Sequence, residues 1–272
     1  MAEIITITSG KGGVGKTTIT ANLGTALALL GKKVCLIDAD FGLRNLDIPL
    51  GLSNRIVYDL SDYMNRRCEL RHVEIKDKSL PNLSLIPSSQ TDGQVQEPEQ
   101  FKEIIEEIAV NFDYVLIDSP AGIESGFQNA AYAANDAIVV VTPFLSSIHD
   151  ADRVIGILED EMSFSPKVIL NMTEENDKKA KSLNMISKEE IFDILQIKEL
   201  GSILNDPEVI RSIERGQPVA LNPQVENGLR FRHIARNMMT HQYDPYVPVK
   251  VKKKQGRIFP LQHKLKWISG RM

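Results

Sequence analysis

Short β-branched runs alternate along the chain with longer stretches whose apolar residues recur at helical spacing. Ile4 to Thr8 reads as a strand, Ile19 to Leu30 as a helix, and Lys33 to Ile37 as a second strand. A helix over Asn54 to Asn65 follows, then a charged connection through Lys76, Asp77 and Lys78, a strand from Leu83 to Pro87, and a polar loop to Pro98. Phe101, Ile104, Ile105, Ile108 and Ala109 fall at the spacing of a helix packed on a core. Phe112 to Asp118 is an apolar strand ending in a carboxylate, and Ala137 to Val141 is the next strand. The helix after it carries a Ser146 N-cap signal and the stripe Val154, Ile155, Leu158 and Met162. Lys167 to Asn171 is a strand and Thr173 to Ser182 a charged loop. Ser187 and Glu190 stand at capping-box spacing ahead of Ile191, Ile194 and Leu195. Lys198 to Leu204 forms the last strand, before a helix with Leu229, Ile234, Ala235 and Met238. Strands and helices in this order predict an α/β fold, a mostly parallel β-sheet flanked by helices.

The pattern changes near the C-terminus. Tyr243 to Val249 holds two prolines, which disfavour a helix and suggest a linker. Beyond it Ile258, Leu261, Leu265 and Ile268 share one helical face, with Lys264 and Lys266 pointing elsewhere and Trp267 towards an edge. The expected division is therefore a body over 1–242, a linker over 243–256 and a basic amphipathic helix over 257–272.

Charge sharpens this division. The 272 residues carry a formal net charge of −4, yet 250–272 contains eight Lys or Arg and no Asp or Glu, leaving −12 for the rest. A short basic amphipathic helix with an aromatic residue suits the plane of an anionic bilayer. Docking of the stripe on the body, or binding of the basic tail to nucleic acid, are the alternatives; nucleic acid is disfavoured because few aromatics are interleaved with the cations. No apolar run of about 18 residues predicts a transmembrane helix. Cys35 and Cys68 lie far apart without metal-ligand neighbours, and the chain opens on a strand instead of a signal peptide, so the expected location is cytoplasmic.

Candidate chemistry concentrates in the first strand-to-helix turn, Ser9-Gly10-Lys11-Gly12-Gly13-Val14-Gly15-Lys16-Thr17-Thr18. Gly10, four intervening residues, Gly15, Lys16 and Thr17 satisfy the phosphate-loop pattern, in which backbone N–H groups converge on phosphate oxygens at a helix N-terminus. Lys16 would reach the β- and γ-phosphates and the Thr17 hydroxyl would hold Mg²⁺, so the expected cofactors are ATP and Mg²⁺. Two strands expected to end beside this loop finish in carboxylates: Asp38 and Asp40 after the second, and Asp118, which has the form of a Walker B metal-site residue. Asp38 and Asp40 could also be simple turn or cap residues.

The form Lys-Gly-Gly-Val-Gly-Lys-Thr-Thr, with Lys11 as a second cation, resembles the deviant Walker A motif of the MinD/ParA ATPase family. Phe41-Gly42-Leu43-Arg44-Asn45-Leu46-Asp47 and Asp118-Ser119-Pro120-Ala121-Gly122-Ile123-Glu124 resemble its two switch segments, and the likeness runs from residue 2 to about 241. It implies that Lys11 reaches the partner's nucleotide in an ATP-bound homodimer. It further implies that Asp40 orients the attacking water, that Asp38 lies near Mg²⁺ through water, that Gly122 senses the γ-phosphate, and that Asn171 bonds the adenine. Catalysis would rest on Lys11, Lys16 and Asp40, with Thr17, Asp38 and Asp118 around the metal. Phe144, His149, Met172 and Asn205 depart from the usual residues, and the tail is more polar than the family's ending.

The implied function is placement of the division septum by a dimerising ATPase on the inner face of the cell membrane. A MinC-like division inhibitor would be recruited there, and a MinE-like regulator would activate turnover. A ParA-type partitioning ATPase, a regulator of flagellar number, or a nucleotide-dependent scaffold with negligible turnover are the alternative readings.

Overall fold

The β-branched runs assemble into one eight-stranded sheet in a computed structural model that describes residues 2–90 and 97–248. In chain order the elements are β1 (Glu3–Thr8), α1 (Lys16–Leu29), β2 (Val34–Asp38), α2 (Asp47–Leu50), α3 (Leu60–Met64), α4 (Leu70–Val73), β3 (Ile75–Lys76), β4 (Leu83–Ile86), α5 (Pro98–Ala109), β5 (Tyr114–Asp118), α6 (Ser125–Tyr132), β6 (Asp136–Val141), α7 (Leu145–Asp160), β7 (Lys167–Thr173), α8 (Asp177–Ser182), α9 (Lys188–Leu195), β8 (Lys198–Leu204), α10 (Pro207–Glu214) and α11 (Glu226–Thr240). The strand order is β3-β4-β2-β5-β1-β6-β7-β8, with only the β3–β4 pair antiparallel.

Strands covered on both faces need apolar side chains pointing both ways. In β2, Val34 and Leu36 join the core beneath α1 and α11, while Cys35 and Ile37 join the core beneath α5. Under α7 lies a third cluster, with Val139, Val141, Ile148 and Leu158. Helix α1 has no polar face because it is buried between the sheet and α11 from Ile19 through Ala28. Gly24 lets it sit directly on β2, since a Cβ there would lie 2.4 Å from Leu36 Cδ2.

Register sets the site. Asp118 on β5 lies opposite both Asp38 on β2 and Ile7 on β1, so the two carboxylates and the loop after β1 share the carboxyl edge of the sheet. At the far side, β8 is the last strand, and α11 closes its edge with side chains. The Asn227 amide exchanges hydrogen bonds with Leu204 N and O at 2.9 and 3.0 Å, and Asn237 donates to Leu200 O at 3.4 Å.

Four local expectations change. The helix expected over 54–65 is a 3₁₀ turn at Ser53–Arg55 and a separate α3. Asp59 begins α3 with a reciprocal capping box to Asp62, and a capping residue there starts a new helix. Asn176 likewise caps α8, accepting from Lys178 N and Lys179 N, where a loop was expected. Ser146 does not cap α7: the cap position is Phe144, and the nearby Ser147 hydroxyl accepts from Thr142 N at 3.0 Å. The expected linker is packed at its start: Asn237 donates to Asp244 O at 3.0 Å, and Tyr246 lies against Arg230 and His233. Linker residues 249–256 and the amphipathic helix expected at 257–272 lie outside the described residues.

Candidate functional site

Backbone strain in the loop after β1 is confined to glycines. Gly13 and Gly15 have φ of 79° and 97°, the left-handed region that costs an L-residue about 1–2 kcal/mol. Gly15 precedes α1 as its N-cap residue, and no side chain caps the helix. The first amides of α1 therefore face the cavity with the positive end of the helix dipole. A Cβ at Gly12 or Gly13 would meet nothing within 4 Å, so open space lies above the loop, where phosphate oxygens would fit. The loop is tied down from below. Asn171 at the end of β7 donates to Val14 O at 2.7 Å, and the Ser9 hydroxyl donates to Lys11 O at 2.8 Å.

Lys16 Nζ donates to Ser9 Oγ at 3.0 Å, which holds the ammonium over the loop. Burial pulls its pKa below the usual lysine range, and the charges of Asp118 and Asp40 pull it back up. Asp40 is half-buried; its own pKa is raised by burial and lowered by Lys16.

Asp118 is buried, and its Oδ1 accepts from the Thr20 hydroxyl at 3.1 Å. Its pKa is pushed up to about 7, first by burial and then by Asp38, against the pull of Thr17, Lys16 and Thr20. Two carboxylates side by side beneath a hydroxyl are an incomplete cage for a divalent cation. That donor set fits Mg²⁺, which takes one or two carboxylates, completes its shell with phosphate oxygens and water, and would supply charge neutralisation for the phosphates. Thr17 and Asp118 would hold it, with Asp38 beside them.

The raised Asp118 has a measurable consequence without nucleotide. Between its ordinary pKa of 3.8 and about 7, the unfolded chain releases this proton while the folded chain keeps it. Stability should thus fall as pH rises through that window, by up to about 4 kcal/mol from this group alone. Thermal unfolding at pH 4.5 and 7.5 tests this: Asp118→Asn should remove a large part of the wild-type decline, and an unchanged decline would refute it.

Asp38 stands beside Asp118 and is also held by its own loop. Its carboxylate accepts backbone N–H bonds from Asp40, Asn45 and Leu46, each at 3.0 Å, and it is fully buried. Burial raises its pKa; these amides and the Ser88 hydroxyl lower it. The geometry makes Asp38 the clamp of the loop that presents Asp40. Gly122 sits at φ 92° with its amide donated to Ser9 O at 3.0 Å, joining the second switch segment to the phosphate loop. Lys11 turns back onto its own chain, its Nζ donating to Ser146 Oγ at 3.2 Å.

The phosphate loop opens on a cavity of about 680 Å³, and Lys11, Asp38, Asp118 and Gly122 lie outside its lining. Gly12, Gly15, Lys16, Thr17, Asp40 and Asn171 face it, and Gly10 lies beneath the loop, where a Cβ would strike Asp150 O at 2.2 Å. Sequence reasoning missed Thr20 and the apolar wall that Ile210 and Ile213 form with Met172, against which a flat base could lie. Thr20 gave no signal beyond its position one turn after Lys16. Ile210 and Ile213 stand three apart on α10, and Ile210 is 60 % exposed beside the cavity.

This architecture recurs in known proteins. A family model described as an AAA domain matches residues 2–160. The septum site-determining protein MinD of Bacillus subtilis is 45% identical over 94% of this chain and 95% of its own length. That of Thermotoga maritima is 45% identical over 88% of each. Among solved structures, the MinC:MinD cell division protein complex of Aquifex aeolicus matches with TM-score 0.81 and 45% identity, covering 92% of this chain and 99% of that one. MinD from Pyrococcus horikoshii OT3, complexed with Mg-ADP, matches with TM-score 0.77 and 28% identity over 88% and 96%. On its fold, its phosphate loop and these likenesses, the chain belongs to the MinD family of septum site-determining ATPases.

Proposed function

We propose that the chain hydrolyses ATP with Mg²⁺ as an ATP-dependent homodimer and uses that cycle to place the division septum. The observation that carries this reading is the open glycine loop with Lys16 held over it by Ser9 and Asp40 at its rim. Loop amides and Lys16 bind the β- and γ-phosphates. A water oxygen, oriented by Asp40, forms the new bond to the γ-phosphorus as the bond to the β–γ bridging oxygen breaks. ADP carries away the bridging oxygen, and the water protons pass to phosphate and solvent. Thr17 and Asp118 would hold the cation with Asp38 near it through water, Asp38 also holds the loop of Asp40, Gly122 reports the γ-phosphate and Asn171 lies at the base side.

Lys11 completes the site in trans. Its contact with Ser146 is a single exposed hydrogen bond, worth little in water, so a partner's phosphates can draw the side chain away. Lys11→Ala should abolish dimers formed with a non-hydrolysed ATP analogue, read by analytical ultracentrifugation; dimers at the wild-type level would exclude the trans role.

Among the described residues no helix is long and apolar enough to cross a membrane. Attachment falls to the basic amphipathic helix at 257–272, following the linker to 256, on the inner face of the cell membrane. One such helix gives marginal affinity, and two on a dimer bind far more tightly. The dimer would recruit a MinC-like division inhibitor, a partner suggested by the Aquifex aeolicus complex, and a MinE-like regulator would trigger hydrolysis. Co-sedimentation with anionic liposomes tests this. The full chain should pellet with the ATP analogue and not with ADP, and a chain ending at Val249 should not pellet at all. Equal pelleting in both nucleotide states, or ATP-dependent DNA binding in its place, would overturn the reading.

A further inference from the structure

Met172 breaks the geometry of the strand it ends. Seven described residues other than glycine have positive φ, and six of them lie in loops or just past helix ends, where a left-handed backbone is ordinary. Met172, at φ 59°, lies inside β7. An L-residue adopts that conformation against its own Cβ. The strand pairing changes at the same place: Leu170 is opposite Ser202 and Thr173 is opposite Leu204, so three steps along β7 match two along β8. This is a bulge, and a bulge beside a site re-aims a side chain. The ladder closes again beyond it, with Asn205 N donating to Thr173 O at 2.9 Å and the Thr173 hydroxyl donating to Ile203 O at 3.1 Å.

The consequence is one of direction. Successive side chains of a regular strand point to opposite faces of the sheet, yet Asn171 and Met172 both face the phosphate-loop cavity. They converge on one spot: a Cβ added to Gly15 would lie 2.3 Å from Asn171 Nδ2 and 4.0 Å from Met172 Cε. The Asn171 amide is engaged there, donating to Val14 O. The Met172 side chain is half-buried beside it and has no polar group to satisfy. Leu204, Val209, Ile210 and Ile213 supply the rest of the apolar wall at this end of the cavity. A flexible, polarizable thioether against an aromatic ring is a favourable contact.

We propose that Met172 is the residue on which the nucleobase stacks, and that the left-handed turn of β7 is kept to aim it there. The proposal rests on the reading of the cavity as a nucleotide site and deepens it. Loop amides and Lys16 hold the phosphates, so Met172 adds affinity through the ring alone. Asn171 braces the loop while its neighbour meets the base.

Calorimetric titration of the full chain with ATP and with inorganic tripolyphosphate, both with Mg²⁺, tests this. Met172→Ala should weaken ATP about tenfold and leave tripolyphosphate within about twofold, because only ATP carries a ring. Met172→Leu, apolar and of similar volume, should hold ATP within about threefold of the wild type. A folding defect would weaken both ligands. The backbone has its own readout: inside a regular strand Ala is more stable than Gly, and at φ 59° the order reverses. Met172→Gly should therefore melt about 2 to 4 °C above Met172→Ala while binding ATP as weakly. Wild-type ATP affinity in Met172→Ala would overturn the proposal, as would an equal loss of tripolyphosphate. Met172→Ala melting above Met172→Gly would overturn the role given to the left-handed turn. If the wild type binds neither ligand, the nucleotide reading fails and the stacking with it; if it binds both and Met172→Ala binds ATP as well, the stacking alone fails.

Discussion

Gly15→Ala should leave the chain folded and weaken ATP binding at least about a hundredfold, as read by titration with a fluorescent ATP analogue. Two independent strains meet at this residue. Its φ of 97° is left-handed, and a Cβ would lie 2.3 Å from Asn171 Nδ2, the amide that ties Val14 O from below. Relief requires either a backbone change at the N-cap of α1 or the loss of the Asn171 tie. Each alters the direction of the first helix amides, which are the groups that would face the phosphates. The cost of the φ alone is about 1–2 kcal/mol, and the displaced amide adds about as much, which together correspond to the hundredfold expected. Gly12→Ala is the control for folding: its Cβ meets nothing within 4 Å, so its melting temperature should match the wild type. Lys16→Ala is the control for the site, removing charge without touching the loop backbone. Wild-type affinity in Gly15→Ala would mean that the loop does not use this conformation to bind.

The residues legible in the sequence were those whose chemistry leaves few alternatives. Glycines with a following Lys-Thr pair, placed between a β-branched run and an alanine-rich helix, had one physical reading, and apolar strands ending in Asp38 and Asp118 pointed to the same edge. The strand-and-helix alternation likewise foretold the α/β sheet, though not its order, because nothing local says that β5 inserts between β1 and β2. What stayed hidden depends on partners distant in sequence. Thr20 touches Asp118 across 98 positions, and Asn171 reaches Val14 across 157. Asp38 has local partners that were equally hidden: its carboxylate accepts from amides two to eight residues ahead, a local fold that letters do not spell. Ser146 gave a cap signal, yet the helix took Phe144 as its first flanking residue, and Lys11 reaches the Ser146 hydroxyl instead. The packed stretch 243–246 was read as a linker because prolines report what backbone cannot do, and the latch lies in Arg230, His233 and Asn237 on another element.

Asp40→Ala should separate binding from hydrolysis: turnover is expected to fall about 10² to 10³-fold while affinity for ATP stays within about twofold of the wild type. Asp40 contributes its backbone N–H to the Asp38 clamp and its side chain to the cavity, so removal of the carboxylate leaves the loop scaffold in place. Loss of the group that positions the attacking water costs rate in this range, and affinity is held by the loop amides and Lys16, which the substitution does not touch. Removing a negative charge near Lys16 also takes away one of the two charges that raise its pKa, without moving the Ser9 bond that fixes it. Asp38→Ala should behave differently, since it leaves the amides of Asn45 and Leu46 without their acceptor, at about 1–3 kcal/mol for the buried Leu46 amide. That variant is expected to lower the melting temperature and turnover together, whereas Asp40→Ala lowers turnover alone. With hydrolysis blocked and binding intact, Asp40→Ala should accumulate as a dimer in ATP itself, as the wild type does only with a non-hydrolysed analogue. Phosphate release at the wild-type rate from Asp40→Ala would remove this carboxylate from the chemistry and leave the ATP-bound chain a scaffold whose cycle is timed by something other than its own water-orienting group.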